Sequence, residues 1–425
     1  MRWALAIFAV VVAGIAAFLA FAWRPALDPV AAPGRDAFDP QLVARGRELA
    51  AVGDCAGCHT RPGGAPFAGG VALATPFGTL FGTNITPDPK FGIGNWSEAA
   101  FRRAMREGVA RDGRHLYPAF PYGHFTLLDD ADIAALYAYF MTREPVNAAP
   151  PEHELAFPFN LRPLLAGWKR LYFEERRFQA DASKSAQWNR GAYLVRGLGH
   201  CGACHTPRNR LGAEHKHRQL AGALVEGWYA PALNEASPSP IPWTPEDLAT
   251  YLATGIAERH AMAAGPMQTV THELGRAAPE DVRAIAAYIH GTMGPLTQAR
   301  EARARAAIDL ARREPSAAAG SSVELRDARL RLGKALYLGA CASCHERGRE
   351  LSSGGALELP LAVALYEPEP ASLVNIIRDG IQPPPGETGR WMPGFAGAFN
   401  EEQMLALLTY LRTLAPGAPP WQDLE

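Results

Sequence analysis

The chain has 425 residues, with 42 Lys and Arg against 43 Asp and Glu, so its formal net charge is −1. This balanced charge gives no electrostatic footprint for nucleic acid binding. No glycine-rich phosphate-binding pattern stands between a predicted strand and a predicted helix, so the sequence does not support a nucleotide or flavin site.

The first segment is an uncharged, apolar run of 21 residues from Trp3 to Trp23. Spanning a bilayer takes about 20 such residues, whereas the apolar core of a signal peptide takes about 7–15. The length favours a retained membrane anchor at 1–24, although Ala20-Phe21-Ala22 also offers a signal-cleavage pattern. In either case the rest of the chain is expected to be exported, and residues 25–40 are predicted to be a tether.

All six cysteines lie in three copies of one motif, C-x-x-C-H, whose first cysteines are 146 and then 140 residues apart. This motif is the attachment signature of c-type haem, in which two thiols form thioethers and the histidine ligates iron. One copy could be a redox dithiol, but three copies with no cysteine left over favour three covalent haems. The predicted thioether cysteines and proximal histidines are Cys55, Cys58 and His59, then Cys201, Cys204 and His205, then Cys341, Cys344 and His345.

Helical patterns flank each motif on both sides. The predicted opening helices contain Gly46, Gly191 and Gly333, and the predicted closing helices contain Tyr139, Tyr288 and Tyr410. This arrangement resembles the class I cytochrome c fold, which implies a mainly α chain with three tandem domains behind an N-terminal transmembrane helix. The predicted boundaries are domain 1 at 41–150, an amphipathic connector at 151–182, domain 2 at 183–296, a linker at 297–323 and domain 3 at 324–425.

The two connectors differ in pattern. Between Asn160 and Phe178, leucine and aromatic residues alternate with basic residues. An amphipathic basic helix containing tryptophan can lie in the membrane interface, but it can equally be a strut whose apolar face packs on the haem domains. The linker at 297–323 predicts an exposed helix followed by a flexible hinge at 316–322.

A more specific likeness follows the first motif, in Thr75-Pro76-Phe77-Gly78-Thr79-Leu80-Phe81-Gly82-Thr83-Asn84-Ile85-Thr86-Pro87-Asp88 and Phe91-Gly92-Ile93-Gly94-Asn95-Trp96. The chain resembles, over nearly its whole length, the tri-haem cytochrome c subunits of bacterial membrane-bound periplasmic dehydrogenases. Relatives in that family serve quinoprotein alcohol dehydrogenases, flavin-dependent gluconate and sorbitol dehydrogenases, and molybdenum-dependent aldehyde, nicotinate or isoquinoline oxidoreductases. The connector segment 158–169 is similar to the molybdoenzyme-linked branch.

The sixth ligand of each haem iron is expected in a loop shortly before the closing helix. Met267, in Gly265-Pro266-Met267, and Met392, in Trp391-Met392-Pro393, have this position. A methionine thioether raises the haem potential relative to a second imidazole. Either methionine could instead fill a gap in the core.

The first domain departs from this pattern, because Phe120 stands where alcohol and gluconate dehydrogenase relatives usually have methionine. Phenylalanine cannot bind iron, so His124 is the favoured distal ligand and Met105 the alternative. His115 is interpreted as a surface histidine, and Met141 is placed past the core face of its helix. An open, five-coordinate iron is the remaining possibility.

These expectations favour an electron-transfer subunit that is not an enzyme on its own, because an iron with two protein ligands has no position for substrate. The expected partners are a catalytic dehydrogenase subunit, containing molybdopterin, a quinone cofactor or flavin, and an acceptor that is ubiquinone or a terminal oxidase. The expected location is the bacterial cytoplasmic membrane, with the haem domains facing the periplasm. The alternative is a multihaem enzyme of the peroxidase or thiosulfate-oxidising type that uses an open first haem. A soluble shuttle is disfavoured by the apolar N-terminus.

Overall fold

The computed structural model describes residues 2–312, 327–348, 356–383 and 391–422. This part of the chain is mainly helical, with short strands in small antiparallel sheets. It forms two compact units, Met1–His200 and Cys201–Glu425.

The first unit contains eight α-helices within its described residues. They are α1 Arg2–Ala22, α2 Pro40–Val52, α3 Cys55–His59, α4 Glu98–Glu107, α5 Tyr122–Phe125, α6 Asp130–Met141, α7 Leu164–Tyr172 and α8 Ala186–Arg196. Helix α1 is long and apolar enough to cross a membrane. A three-stranded sheet has the order β1 Ala72–Thr75, β2 Gly78–Phe81 and β3 Glu154–Leu155.

Helices α2 and α6 cross closely, and a glycine makes the crossing possible. Asp39 begins α2 by accepting a hydrogen bond from the Gln41 amide. A Cβ atom on Gly46 would lie 1.9 Å from the carbonyl oxygen of Ala135. Only glycine allows this approach of the two backbones, which places the closing helix directly against the opening helix.

Helix α8, the predicted opening helix of domain 2, packs within the first unit. The Tyr193 hydroxyl donates to Asp132 Oδ2 at 2.9 Å and accepts from the Asp129 amide at 3.0 Å, so it binds the start of α6. Leu194 and Leu198 are fully buried. The boundary between the two compact units therefore falls at residue 200, inside the predicted span 183–296 rather than at its edge.

The second unit contains nine α-helices within its described residues. They are α9 Gly202–His205, α10 Pro245–Thr254, α11 Pro266–Leu274, α12 Pro279–Thr292, α13 Gln298–Ala311, α14 Ala328–Ala340, α15 Ala342–His345, α16 Ala371–Asp379 and α17 Glu401–Thr413. Two hairpins pair β4 Ala223–Val225 with β5 Trp228–Ala230 and β6 Ile256–Ala257 with β7 Ala261–Met262.

Helices α14 and α17 repeat the close crossing seen between α2 and α6. A Cβ atom on Gly333 would lie 2.0 Å from the carbonyl oxygen of Ala406 and 2.8 Å from Cβ of Tyr410. Asn400 and Gln403 form a capping box that fixes the start of α17. The same residue types therefore hold the opening and closing helices together at both ends of the chain.

The linker helix α13 differs from the expectation that it is exposed. Ala307 is fully buried in a small core with Ile241 and Leu361, and Arg303 donates a hydrogen bond to the Ser239 carbonyl at 2.9 Å. The expectation holds for only part of the helix, because small alanine side chains let one face of this charged helix approach its neighbours. The predicted hinge at 316–322 lies outside the described residues.

Candidate haem sites

The histidines of the three C-x-x-C-H motifs have the same hydrogen-bond geometry. Nδ1 of His59 lies 2.6 Å from the Thr83 carbonyl oxygen, Nδ1 of His205 lies 2.6 Å from that of Pro231, and Nδ1 of His345 lies 2.9 Å from that of Leu357. A carbonyl oxygen can only accept, so Nδ1 carries the proton in each neutral ring. Nε2 then keeps its lone pair, which is the form that binds a metal.

Local structure supplies these carbonyl groups. Each motif histidine ends a short helix, namely α3, α9 or α15. In the first two cases the chain then makes a β-hairpin, β1–β2 or β4–β5, and the accepting carbonyl follows the second strand. The hairpins therefore return the chain to the motif at the position where the ring must be oriented.

Burial also favours the ligating form of these histidines. Desolvation lowers the pKa of His59, His205 and His345, and in each case the carbonyl hydrogen bond opposes part of that shift. A lowered pKa keeps an imidazole neutral at neutral pH, and only the neutral ring has a lone pair for iron.

The first cysteines of the second and third motifs do not resemble redox-active thiols. Burial, with a smaller contribution from Cys204, raises the pKa of the Cys201 thiol to about 12. Burial likewise raises the pKa of the Cys341 thiol to about 11, with a smaller contribution from Cys344. A redox dithiol needs a lowered thiol pKa instead. The cysteines and oriented histidines together fit covalent c-type haem, which exchanges single electrons when bound.

His124, the favoured distal ligand of the first site, lies on α5 and is half-buried. Its Nδ1 is 2.8 Å from the Arg196 carbonyl oxygen at the end of α8. This bond assigns the proton to Nδ1, as in the three motif histidines. Phe120 packs edge-on against Phe125, with ring centroids 5.2 Å apart, so it is a packing residue.

Two weaker candidates for the distal ligand of the first haem, His115 and Met141, lie in positions that differ from those inferred from the sequence. His115 is buried rather than on the surface. Its Nε2 lies 2.8 Å from the Ala22 carbonyl oxygen, which places the proton on Nε2, and its Nδ1 faces Lys169 Nζ at 3.1 Å. Both ring nitrogens therefore have partners within the protein. Met141 is the last residue of α6 and is fully buried in the core, not past its face.

The three other candidate methionines lie in different local structures. Met105 is buried on α4, which packs against α5 and α6. Met267 is the second residue of α11, after Gly265 with φ of +53°, so it is at a helix start rather than in a loop. Met392 exchanges backbone hydrogen bonds with Ile381 at 2.8 and 3.0 Å and is half-buried.

Sequence reasoning missed the residues that orient the histidines. Thr83, Pro231 and Leu357 act through backbone carbonyls, which leave no side-chain signal. His200 was also missed: its Nε2 lies 3.2 Å from the Gly53 carbonyl oxygen, and its ring centroid is 5.7 Å from that of Phe125. His200 directly precedes the second C-x-x-C-H motif, and a single histidine in that position does not predict contacts with Gly53 or Phe125.

Two family models match the chain. Residues 43–144 match the model described as cytochrome c. Residues 328–411 match the model described as cytochrome c oxidase, cbb3-type, subunit III. Both matched segments contain a C-x-x-C-H motif between an opening and a closing helix, so the chain has cytochrome c domains that carry c-type haem.

Several known proteins are similar to this chain over almost its whole length. A nicotinate dehydrogenase subunit of Pseudomonas putida is 45% identical over 95% of this chain, which spans 33% of that protein. The gluconate 2-dehydrogenase cytochrome c subunit of Pantoea cypripedii is 36% identical over 90% of this chain and 87% of its own length. The cytochrome c subunit of the quinone alcohol dehydrogenase of Gluconobacter oxydans is 32% identical, covering 93% of this chain and 84% of that protein. This chain therefore belongs to the family of cytochrome c subunits of bacterial dehydrogenases.

Proposed function

We propose that this chain holds three c-type haems and relays electrons from a catalytic dehydrogenase subunit to ubiquinone or a terminal oxidase. The observation that carries the proposal is the repeated orientation of His59, His205 and His345 by backbone carbonyls. Three equivalent sites extend the distance over which one chain can move electrons.

The proposed distal ligands are His124 for the first haem, with Met105 as its alternative, Met267 for the second and Met392 for the third. A second protein ligand at each iron leaves no position for a substrate, so these residues favour electron transfer over bond chemistry. Substrate oxidation then belongs to a separate subunit with its own cofactor. This arrangement fits a periplasmic location, with α1 as the proposed membrane anchor.

The relatives support one branch of the family. The nicotinate dehydrogenase subunit of Pseudomonas putida shares 45% of aligned positions with this chain, against 36% and 32% for the gluconate and alcohol dehydrogenase subunits. We therefore favour a molybdenum-dependent hydroxylase of N-heterocyclic substrates as the catalytic partner. A quinoprotein or flavoprotein partner is the alternative within the same function.

The haem content is the first test. We expect three covalent haems on the mature chain, by pyridine haemochrome assay and intact mass, because each motif has two cysteines and an oriented histidine. The double variant Cys201→Ala/Cys204→Ala should lose one haem and keep two. Fewer than three haems on fully matured wild-type protein would rule out the three-haem relay.

Activity distinguishes the electron-transfer subunit from an enzyme. The purified chain alone should show no turnover, and its haems should be reduced when the catalytic subunit and substrate are added. The double cysteine variant is the matched control, since it should slow electron delivery to the acceptor without changing substrate oxidation measured with an artificial acceptor. Substantial peroxidase activity or thiosulfate oxidation by the purified chain would instead support a multihaem enzyme.

A further inference from the structure

Helix α7 exposes an unusual amount of apolar surface. Leu161 and Leu164 are 45% and 44% exposed, and Leu171 is 70% exposed. Leu164, the half-buried Trp168 and Leu171 recur every three or four positions and so lie on one side of the helix, and Leu161 lies three residues before the helix begins. We call this set, Leu161, Leu164, Trp168 and Leu171, the α7 apolar face. Exposed Phe157 precedes it in the chain.

The opposite side of α7 is fixed to the first unit. Lys169 and Ala166 are buried. Lys169 Nζ donates to the carbonyl oxygens of Glu107 and Gly108 at 2.6 and 2.7 Å, at the end of α4. The charged form of Lys169 suits the negative end of the helix dipole, whereas burial lowers the pKa of Lys169 to about 7. These bonds set the rotation of α7 about its axis, so the α7 apolar face cannot turn inward without leaving Lys169 buried and unpaired.

The same helix lies beside the end of α1. The two helices are in contact, and a Cβ atom on Gly167 would be 3.7 Å from the ring of Phe18. His115, which contacts Lys169, also donates to the carbonyl oxygen of Ala22, the last residue of α1. Trp23 follows and is 68% exposed. Tryptophan at the end of an apolar span is typical of the membrane–water interface.

We propose that the α7 apolar face lies in the membrane interface next to α1 and contacts lipid. Helix α7 touches the end of the one described helix that is long and apolar enough to cross a membrane, so the two apolar surfaces adjoin. An interfacial helix buries its apolar face at the boundary of headgroups and acyl chains and places basic residues among anionic headgroups. Exposed Arg170 on α7 supplies that charge, whereas the basic residues that follow the helix are balanced by Glu174 and Glu175. The proposal does not depend on the route of the electrons.

The consequence is a defined orientation of the first cytochrome c domain. One helix crossing a membrane lets the attached domain rotate and tilt, whereas a second contact through α7 removes that freedom. Helix α7 is tied to α4 through Lys169, and α4 packs against α6, so the membrane contact orients the helices around the first haem site.

The test uses cysteine accessibility in the full-length haem-loaded chain, without the catalytic subunit, in nanodiscs of phosphatidylethanolamine and phosphatidylglycerol. Leu171→Cys probes the α7 apolar face, and Ala44→Cys is the matched control at an exposed position of α2. A charged maleimide should label position 171 about tenfold more slowly than position 44, because a thiol in an apolar environment is not converted to reactive thiolate. After denaturation both variants should be labelled at the same rate.

Each other outcome overturns the proposal. Equal labelling of the two native variants would mean that the face contacts water. Protection that disappears when the lipid-to-protein ratio is raised would mean that a second copy of the chain covers it. Protection that develops only after the catalytic subunit is added would identify a protein interface. Because labelling does not measure electron transfer, failure here would leave the proposed relay intact.

Discussion

Gly333→Ala is expected to destabilise the C-terminal cytochrome c domain by about 3 kcal/mol, the upper end of the cost typical for overpacking. The added methyl group would meet the carbonyl oxygen and carbon of Ala406 at 2.0 and 2.7 Å, together with Cβ of Tyr410 at 2.8 Å. Two of these atoms belong to the backbone of α17 and cannot move aside as a flexible side chain would. Helices α14 and α17 must therefore separate.

Gly339→Ala is the matched control, because Gly339 lies on the same helix α14. A Cβ atom at Gly339 would have no atom within 4 Å. This substitution should stabilise the domain by about 0.5–1 kcal/mol, since alanine loses less backbone entropy than glycine on forming a helix. Both variants replace glycine by alanine, yet the free energy of unfolding is expected to fall in Gly333→Ala and to rise in Gly339→Ala.

Hydrogen exchange of peptides from α14 and α17 in the full-length protein measures the local free energy of opening. We expect faster exchange in both helices for Gly333→Ala and slower exchange for Gly339→Ala. If Gly333→Ala exchanged no faster than the wild type, the close crossing of these helices would be contradicted.

The residues defined by covalent chemistry could be predicted from the sequence. Thioether attachment requires two cysteines and a histidine within five positions, so all nine motif residues are recognisable without any knowledge of the fold. Gly46 and Gly333 were also found, because the helical pattern around them repeats. Only the structure shows why glycine is needed at these two positions: a Cβ atom there would collide with the backbone of α6 or α17.

Contacts between residues distant in sequence could not be predicted. His115 was interpreted as a surface histidine, yet it is buried between Lys169 and the last carbonyl of α1. The linker helix was expected to be exposed because it is rich in arginine and glutamate, yet its own residue Ala307 is buried against Ile241 and Leu361. In both cases the missing information is which other segment lies alongside, and charge patterning does not provide it.

His124→Ala is expected to convert the first haem from low-spin to high-spin iron, with the other two haems unchanged. The proposed ligation rests on chemistry and orientation: Phe120 cannot bind iron, and the Arg196 carbonyl accepts the Nδ1 proton of His124 at 2.8 Å, as the backbone carbonyls do at the motif histidines. Removing the imidazole leaves one protein ligand on that iron. Electron paramagnetic resonance of the oxidised full-length protein measures the change in spin state.

Met105→Leu is the discriminating variant, because leucine replaces the thioether with a side chain of similar volume. If His124 is the ligand, the spectrum of the first haem should be the same in Met105→Leu and in the wild type. A high-spin first haem in Met105→Leu, with an unchanged spectrum in His124→Ala, would transfer the assignment to Met105. A first haem that is already high-spin in the wild type would favour the open site and the enzyme alternative.

The distal ligand of the first haem also sets the direction in which electrons move along the relay. With two imidazole ligands the first haem should have the lowest potential of the three, because the softer thioethers proposed at Met267 and Met392 favour Fe(II). Electrons would then tend to leave the first haem for the other two. His124→Met should raise the potential of the first haem towards theirs and weaken this bias, as measured by redox titration of each haem. If the wild-type titration instead showed the first haem to have the highest potential, bis-histidine ligation and the proposed direction would both be rejected.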